Sequence, residues 1–259
     1  MRISALALLL LAPMAAHAAE DSPPPAAASA RLFNHIAYAE ADPATLMPVP
    51  SLTGCTMARE TVFDLEQLLA AARAEGIDLG AVSCFRSVTY QRRVFCAGAR
   101  DCDSVAALRA RFVAPPGYSE HATGYAIDFV QRGGDCRAVK QCFALTAGGQ
   151  WLMRRAPEFG FELSFPAGNK QGVGWEPWHW RWVGRRAVPW TQAARARFAP
   201  AQASYPALPA VTRADTKTAA GPEGRPPSLE TAPGGGVYAV STSRWGAAIL
   251  LANSATLRP

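Results

Sequence analysis

Two histidines and one aspartate have the residue types and spacing of a metal site. His121 and Asp128 lie seven positions apart in the stretch PPGYSEHATGYAIDF, and His179 follows in WEPWHWRW. Two imidazoles and one carboxylate form a ligand set suited to catalytic zinc, which keeps a fourth position open for water. Each of the three taken alone could equally be an ordinary loop or strand-end residue. The hypothesis of a zinc site therefore depends on all three side chains meeting.

A fourth residue, Glu176, could act as a general base beside such a site, because it precedes His179 by three positions. In a regular strand, side chains three positions apart point to opposite faces, so Glu176 would miss the metal side. Pro177 fixes φ and lacks an N–H donor, which favours a bend or a strand start between them. We expect this bend to bring the Glu176 carboxylate back over the site. On its own, the residue would be a solvated acid.

Asp128 and His179 must be positioned by two predicted strands. Over residues 125–130, large apolar side chains occupy every second position and Asp128 lies on the opposite face. In the second strand, tryptophans alternate with His179 and Arg181. We predict that the tryptophans lie in the core rather than form a platform that stacks on glycans. They are Trp178, Trp180 and Trp182.

Helical spacing of apolar residues predicts further elements around these strands. Residues 61–75 form a predicted core-packing helix, and Gly76 stands where a C-cap glycine belongs. Ser87 is a predicted N-cap for a second helix that runs from Val88 to about Ala97. The remaining predicted elements are strands over 81–85 and 161–165, and residues 151–156 are predicted to be part of a helix that ends near Pro157.

The N-terminal residues have the order of a secretory signal peptide, with Arg2, an apolar run and then Ala16-His17-Ala18. The apolar run is shorter than the roughly 20 residues that span a bilayer. We therefore expect cleavage after Ala18, export, and a periplasmic location. The predicted organisation is a signal peptide (1–18), a flexible lead-in (19–31), one catalytic domain (32–198) and a tail (199–259). The tail is rich in Pro, Ala and Gly, and we expect it to be largely disordered. Within the tail, residues 237–251 could form a strand pair or a docking segment.

The net charge favours anionic partners. It is +6 for the whole chain and falls by one, to +5, when Arg2 is removed. The basic residues form no tract, which argues against nucleic acid. A cell-wall polymer that carries peptide carboxylates fits both the charge and the expected location. A monomer is the default expectation for the oligomeric state.

Six cysteines in an exported chain predict three disulfides rather than a thiolate metal cluster. A C-x5-C spacing occurs twice, which suggests two local bridges and leaves one longer bridge, although six cysteines allow about 15 connectivities. The pairs that this hypothesis predicts are Cys96 with Cys102, Cys136 with Cys142, and Cys55 with Cys84.

The motifs resemble a known family. YSEHATGYAID fits S-x-H-x6-D and WEPWHW fits E-x-x-H-W, and with WLMRRAPEFGFELSFP they are similar to the zinc D-alanyl-D-alanine carboxypeptidases of the VanY type, over roughly residues 61–184. That family belongs to a wider group that includes D-Ala-D-Ala dipeptidases, and its fold is shared with the N-terminal domain of hedgehog proteins. The resemblance implies an α+β fold with a small antiparallel sheet and flanking helices around one catalytic Zn²⁺. It implies that His121, Asp128 and His179 hold the zinc and that Glu176 is the general base and then the acid.

A third stretch, SCFRS followed by Gln91, is similar to the family pattern S-G-Y-R-S-x-x-x-Q. By resemblance, Arg86 binds and polarises the substrate, and Gln91 and Ser119 position the peptide. A guanidinium offers paired donors to a terminal carboxylate or to an oxyanion. The pattern usually has glycine where this chain has Cys84. Strand alternation would place Cys84 on the same side as Arg86, so a free thiolate could approach the metal, whereas pairing with Cys55 is the safer interpretation.

The activity that the resemblance implies is hydrolysis of the terminal D-Ala-D-Ala bond of peptidoglycan stem peptides. An endopeptidase that cuts L-Ala-D-Glu or a cross-bridge is an alternative, and residues 97–114 could decide between the two. A dipeptidase acting on free D-Ala-D-Ala is another alternative. A noncatalytic zinc-dependent wall-binding module is a third, but Glu176 and Arg86 argue against it because binding alone needs no base beside an open metal position.

Overall fold

The computed structural model describes residues 31–136, 139–211, 228–231 and 237–240. The predicted signal peptide lies outside the described residues, as do nearly all of the lead-in and most of the predicted tail. Within the part of the chain that the structure describes, no helix combines the length and apolar character needed to cross a membrane.

Strands and helices are interspersed along the described part of the chain. The strands are β1 (Arg31–Leu32), β2 (His35–Ile36), β3 (Leu46–Pro48), β4 (Thr56–Ala58), β5 (Leu79–Ser83), β6 (Ala126–Gln131), β7 (Phe161–Leu163), β8 (His179–Trp182), β9 (Ser228–Thr231) and β10 (Val237–Val240). The α-helices are α1 (Arg59–Ala74), α2 (Val88–Phe95), α3 (Ala106–Arg109), α4 (Ala147–Arg155) and α5 (Gln192–Ser204). A 3-10 helix over Glu120–Thr123 precedes β6.

A four-stranded antiparallel sheet with the order β5-β6-β8-β7 forms the centre of the fold. In its register, Asp128 of β6 lies opposite His179 of β8 and opposite Ser83 of β5. Because directly opposite residues of neighbouring strands share a face, the pairing of β6 with β8 puts the aspartate and the histidine side by side. This agrees with the predicted α+β class and its small antiparallel sheet.

The core lies on the other face of the sheet. Ile127, Phe129, Trp180 and Trp182 are fully buried, so the predicted core role of the tryptophans holds for two of them. Trp178 is only partly buried and packs against the core from its edge. Full burial of each large apolar side chain contributes about 1.5–3 kcal/mol, so this face anchors the strands that carry the site.

One end of α1 and one end of α2 have recognisable local causes. Helix α1 packs Leu65, Leu68 and Leu69 into the core, and Gly76 follows it in the left-handed region at φ +77°. Helix α2 begins after Ser87, whose Oγ accepts a hydrogen bond from the backbone N–H of Tyr90 at 3.1 Å. Both features agree with the predictions from sequence.

Several predicted boundaries differ from the structure. Strand β5 ends at Ser83, two residues before the predicted end, so Cys84 and Arg86 belong to no strand and the alternation argument that placed them on one side does not apply. Strand β7 likewise ends at Leu163 rather than 165. The predicted helical stretch from residue 151 belongs to helix α4, which begins after Thr146, whose Oγ1 accepts the Gly149 N–H at 3.0 Å.

The structured domain also continues beyond the predicted boundary at residue 198. Helix α5 runs through that boundary, and its residues Phe198 and Ala201 are buried. After the helix, Leu163 of β7 donates to Pro209 O at 3.1 Å and accepts from Leu208 N at 3.3 Å. The domain therefore extends to at least Val211. Farther on, β10 pairs with β9, so the first residues of the 237–251 segment form a strand pair, one of the two predicted alternatives.

The structure forms all three disulfides that the cysteine spacing suggests. Their Cα–Cα distances are 5.4, 5.0 and 5.9 Å, which are normal for disulfides. The bridges join Cys55 to Cys84, Cys96 to Cys102, and Cys136 to Cys142.

Candidate metal centre and active site

Three side chains from different elements converge on one point. Asp128 Oδ1 lies 3.0 Å from His179 Nδ1, and Asp128 Oδ2 lies 3.1 Å from His121 Nε2. One nitrogen or oxygen from each residue lies within 4.8 Å of the others, and all three residues are buried. The structure thus brings together the three residues that the sequence singled out as metal ligands.

Gly124 makes the turn that brings His121 to Asp128. Its φ of +75° lies in the left-handed region, and its N–H donates to His121 O at 3.2 Å. A Cβ at this position would stand 2.9 Å from the Leu46 side chain and 3.0 Å from the backbone nitrogen of Ala58. Only glycine satisfies both the backbone conformation and the close approach.

The ring of His121 is oriented by a backbone carbonyl. Its Nδ1 lies 2.7 Å from Cys84 O, and a carbonyl can only accept, so Nδ1 carries the proton and Nε2 has a free lone pair. Nε2 is buried and makes no hydrogen bond. Metal-binding histidines commonly donate their other ring nitrogen to such an acceptor. A metal cation near Asp128 would satisfy this otherwise unpartnered nitrogen.

The ring of His179 is oriented by a carboxylate instead. Its Nε2 lies 3.0 Å from Glu120 Oε2, which leaves Nδ1 facing Asp128. Burial alone would lower the pKa of His179, but the hydrogen bonds to Asp128 and Glu120 outweigh burial and raise its pKa to about 10. A metal that bound Nδ1 would therefore have to displace a proton, as is usual for histidine ligands.

The Asp128 carboxylate stays ionised. Burial alone would raise the pKa of Asp128, but the adjacent imidazoles of His121 and His179, the second of which is hydrogen-bonded to Oδ1, hold that pKa well below its usual range. An ionised carboxylate between two imidazoles is a donor set that fits a divalent cation such as zinc. The burial of the cluster, its unpartnered nitrogen and its anionic oxygen thus all match the expected ligand set.

Glu176 reaches the same point through a turn. Its carbonyl accepts the N–H of His179 at 3.0 Å, and β8 begins only at His179, so the chain bends around Pro177. Its Oε2 lies 3.9 Å from His179 Nδ1. Burial raises the pKa of Glu176 to about 8, against the opposing charge of His179. A carboxyl group with a pKa near neutrality can both accept and return a proton at physiological pH.

A cleft of about 190 Å³ opens onto these residues, and Arg86 forms part of its wall. The guanidinium Nε is buried without a hydrogen-bond partner. Burial lowers the pKa of Arg86, and the charges of Asp128 and Glu176 oppose this shift. A half-buried guanidinium with a buried, unpartnered Nε donor beside the cleft is suited to bind a carboxylate or an oxyanion.

Gln91 and Ser119 also lie in the wall of this cleft. Gln91 is almost fully buried, and its Nε2 donates to Ala114 O at 2.6 Å while its Oε1 has no partner. Ser119 is buried immediately before the 3-10 helix that carries His121. The structure therefore places all the sequence-predicted substrate residues at one cleft.

A buried ionic network, which the sequence did not predict, lies behind His179. Arg181 Nη1 lies 2.7 Å from Glu120 Oε1, and Arg181 Nε lies 2.7 Å from Glu162 Oε1. Glu120 Oε2 also accepts a hydrogen bond from Ser164 Oγ at 2.5 Å. The available signal was that Arg181 shares a strand face with His179, because a buried arginine requires a carboxylate partner.

The profile of one protein family, described as VanY: D-alanyl-D-alanine carboxypeptidase, matches residues 54–185. This region contains every predicted ligand, the candidate base and Arg86. Among curated proteins, YodJ of Bacillus subtilis strain 168, which is named as a carboxypeptidase, is 34% identical over 138 residues, covering 50% of this chain and 47% of YodJ.

Two enterococcal proteins are similar at the same level. The bifunctional D-Ala-D-Ala dipeptidase and carboxypeptidase VanXYC of Enterococcus gallinarum is 31% identical over 128 residues, which are 48% of this chain and 66% of that protein. A D-alanyl-D-alanine carboxypeptidase of Enterococcus faecalis is 30% identical over 139 residues, which are 48% and 47% of the two chains. The chain thus spans about half to two thirds of the length of the curated relatives it matches.

Two solved structures are similar to this chain over part of its length. The LdcB LD-carboxypeptidase is 28% identical, with 60% of this chain and 72% of that chain covered and a TM-score of 0.49. VanYB in complex with D-alanine-D-alanine is 25% identical, with 60% and 82% covered and a TM-score of 0.46. At these TM-scores the likeness carries no argument about activity, and the assignment rests on the family profile. Because that profile matches half of the sequence, the chain belongs to the VanY family of D-alanyl-D-alanine carboxypeptidases.

Proposed function

We propose that this protein is a zinc-dependent carboxypeptidase that removes the terminal D-alanine from peptidoglycan stem peptides. The observation that carries the proposal is the meeting of His121, Asp128 and His179 with the carboxyl group of Glu176 beside one cleft. Membership of the VanY family supports the peptide bond as the target and D-alanine as the leaving group.

His121, Asp128 and His179 would hold the zinc. When bound, zinc supplies Lewis acidity that polarises a carbonyl and makes water more acidic. Glu176 accepts the proton of the attacking water at its carboxylate and then delivers it to the leaving amine. The Glu176 carboxyl group is only 13% exposed, and its Oε2 lies 3.9 Å from His179 Nδ1, which places it beside the three proposed ligands.

Arg86 gives the proposed reaction its exopeptidase character. Among the described residues that line the cleft, it is the one Lys or Arg side chain, whereas Glu120, Asp128 and Glu176 are acidic. A free terminal carboxylate would otherwise be repelled by these acids. Pairing with the unpartnered guanidinium donor of Arg86 would hold the C-terminal D-alanine in place.

A second candidate activity, hydrolysis of free D-Ala-D-Ala, is favoured by one relative. VanXYC is named as both a dipeptidase and a carboxypeptidase. The same cleft chemistry would serve either substrate, since both present a D-Ala-D-Ala bond and a free carboxylate. The two differ only in what precedes that dipeptide.

Export to the periplasm is part of the proposal, because stem peptides are found there. Three disulfides and a basic net charge are consistent with this location. N-terminal sequencing of the protein recovered from the periplasm should begin at Ala19. An intact N-terminus in a cytoplasmic fraction would contradict the proposed location.

Product analysis tests the activity. Zinc-loaded protein is incubated separately with stem pentapeptide, stem tetrapeptide, free D-Ala-D-Ala and intact sacculi, and the products are identified by mass. We expect loss of a single D-alanine from the pentapeptide. Release from the tetrapeptide alone, cleavage within sacculi at L-Ala-D-Glu or a cross-bridge, or zinc binding without any hydrolysis would each refute the proposed activity.

A further inference from the structure

The segment Cys84-Phe85-Arg86 accepts one hydrogen bond from His121 and donates another to it. His121 Nδ1 donates to Cys84 O at 2.7 Å, and the backbone N–H of Arg86 donates to His121 O at 3.2 Å. The first bond orients the imidazole and leaves Nε2 free toward Asp128. The position of this segment therefore determines the direction in which the metal-facing nitrogen points.

Regular secondary structure does not hold this segment in place. Strand β5 ends at Ser83 and helix α2 begins at Val88, and the four residues between them are in neither. The pairing of β5 with β6 is already irregular between Ala81 and Ser83. The Cys84 carbonyl thus lies just beyond the end of a disturbed strand pair, where the backbone has few ladder bonds to fix it.

A second set of contacts fastens the same segment from the opposite side. The disulfide joins Cys84 to Cys55, and the N–H of Phe85 donates to Thr56 O at 2.9 Å. Both cysteines are buried, and they are 29 residues apart in sequence. The other two bridges join residues only six apart and bond to none of the three metal-ligand residues.

We propose that the Cys55–Cys84 disulfide is a positioning element of the metal site. It holds the Cys84 carbonyl where that oxygen fixes the His121 ring, and it holds the backbone that places Arg86 in the cleft. This inference rests on the metal site of the proposed function.

Zinc affinity in the full-length protein tests the proposal. The variant Cys55→Ala/Cys84→Ala removes the bridge while retaining every ligand and both backbone hydrogen-bonding groups. Cys96→Ala/Cys102→Ala and Cys136→Ala/Cys142→Ala are matched controls that each lose one bridge elsewhere. Affinity is measured at fixed pH by competition with a chromophoric chelator, with zinc as the only added ligand.

We expect the zinc dissociation constant to rise about tenfold or more in the Cys55→Ala/Cys84→Ala variant, as is usual when the partner of a ligating histidine is disturbed. Both controls should keep the wild-type value. If the test variant is too unstable for direct titration, its apparent affinity follows from the rise of its unfolding midpoint with zinc concentration, because zinc stabilises the folded state by mass action. Wild-type zinc affinity in the test variant, or an equal loss in both controls, would overturn the proposal.

Zinc binding can be measured without peptidase activity, so the test of the disulfide's role is separate from the test of the proposed function. A wild-type protein that binds zinc but cleaves no stem peptide would refute the proposed function and leave the comparison of disulfide variants valid. A wild-type protein that binds no zinc would overturn both.

Discussion

The two histidines of the site are held in different ways. His121 sits in a 3-10 helix and donates to a neutral backbone carbonyl from an irregular segment that a disulfide fastens. His179 sits in a central strand and donates to Glu120, which belongs to a buried ionic network with Arg181 and Glu162. One ring is thus positioned by covalent tethering of the backbone and the other by charge.

This difference predicts which substitutions will disturb the position of each histidine. A neutral hydrogen bond contributes about 1 kcal/mol, so the His121 side depends mainly on where the backbone lies. A buried charge that loses its partner is far more costly, so the His179 side should respond strongly to single substitutions of charged residues. Substitutions on the two sides can therefore separate loss of stability from loss of metal.

The largest effect on activity is expected from removing a ligand on either side. His121→Ala and His179→Ala should each lose bound zinc and reduce D-alanine release to background, because two ligands hold zinc poorly and no longer define its geometry. Metal content after dialysis and release of D-alanine from a stem pentapeptide check this. A His179→Ala protein that retained zinc and full turnover would remove this residue from the ligand set.

The largest effect on stability is expected within the ionic network. Arg181→Met should lower the free energy of unfolding by about 3–5 kcal/mol, because it leaves Glu120 and Glu162 buried without their cation. Arg132→Met is the control, since Arg132 and Asp78 form an exposed pair, and such pairs contribute about 1 kcal/mol or less. Urea denaturation of the three proteins measures both values. Equal losses would show that the buried network has no special role.

A smaller effect, on zinc affinity, is expected when Glu120 loses its charge but keeps its size. Glu120→Gln retains an oxygen that can accept from His179 Nε2, but it weakens the partner that makes the ring a stronger ligand. Zinc affinity should fall about tenfold, at the low end for such partners. Chelator competition measures it. Wild-type affinity in this variant would mean that geometry alone, without charge, orients His179.

The last expected effect is a dependence on pH of the free energy of unfolding of the metal-free protein. Glu176 has a pKa of about 8 when folded against its ordinary 4.5, so the folded state binds the extra proton between these values. Its contribution to stability therefore falls as pH rises through that window. Burial also lowers the pKa values of His35 and His121. Their contribution to stability rises with pH below about pH 6.5, which is the opposite of the Glu176 contribution. The effect of Glu176 must therefore be measured as a difference between the wild type and a variant that lacks its carboxyl group.

Glu176→Gln provides that comparison. The free energy of unfolding of the wild type, minus that of the variant, should decrease steadily from about pH 5 to about pH 8 in zinc-free buffer. Thermal or urea unfolding at several pH values measures the difference. A difference that does not change with pH would contradict the raised pKa of Glu176.

Local patterns were enough to predict the parts of the site that depend on strand alternation. The period of two along residues 125–130 and around His179 predicts which side of each strand carries a ligand, and the sheet register then brings Asp128 and His179 together. The proline between Glu176 and His179 predicts the turn for a similar local reason. The spacing of cysteines predicts all three disulfides in the same way.

Long-range pairing was not predictable in this way. Glu120 and Arg181 lie 61 positions apart, and nothing local distinguishes a charged residue that will be buried in a network from one on the surface. The end of the domain was missed for a related reason. The proline- and alanine-rich composition after residue 198 suggests disorder, yet Ala201 and Ala207 are buried. Both misses concern burial that only the tertiary fold creates.

In the proposed mechanism, Glu176 is the general base and then the general acid beside a metal that His121, Asp128 and His179 hold. The most direct test is turnover of a stem pentapeptide by zinc-loaded Glu176→Gln, with zinc content measured on the same sample. We expect wild-type zinc content and a fall in kcat of about 10²–10⁴-fold, which is the usual contribution of a positioned acid–base group. Near-wild-type release of D-alanine by the zinc-loaded variant would contradict the account.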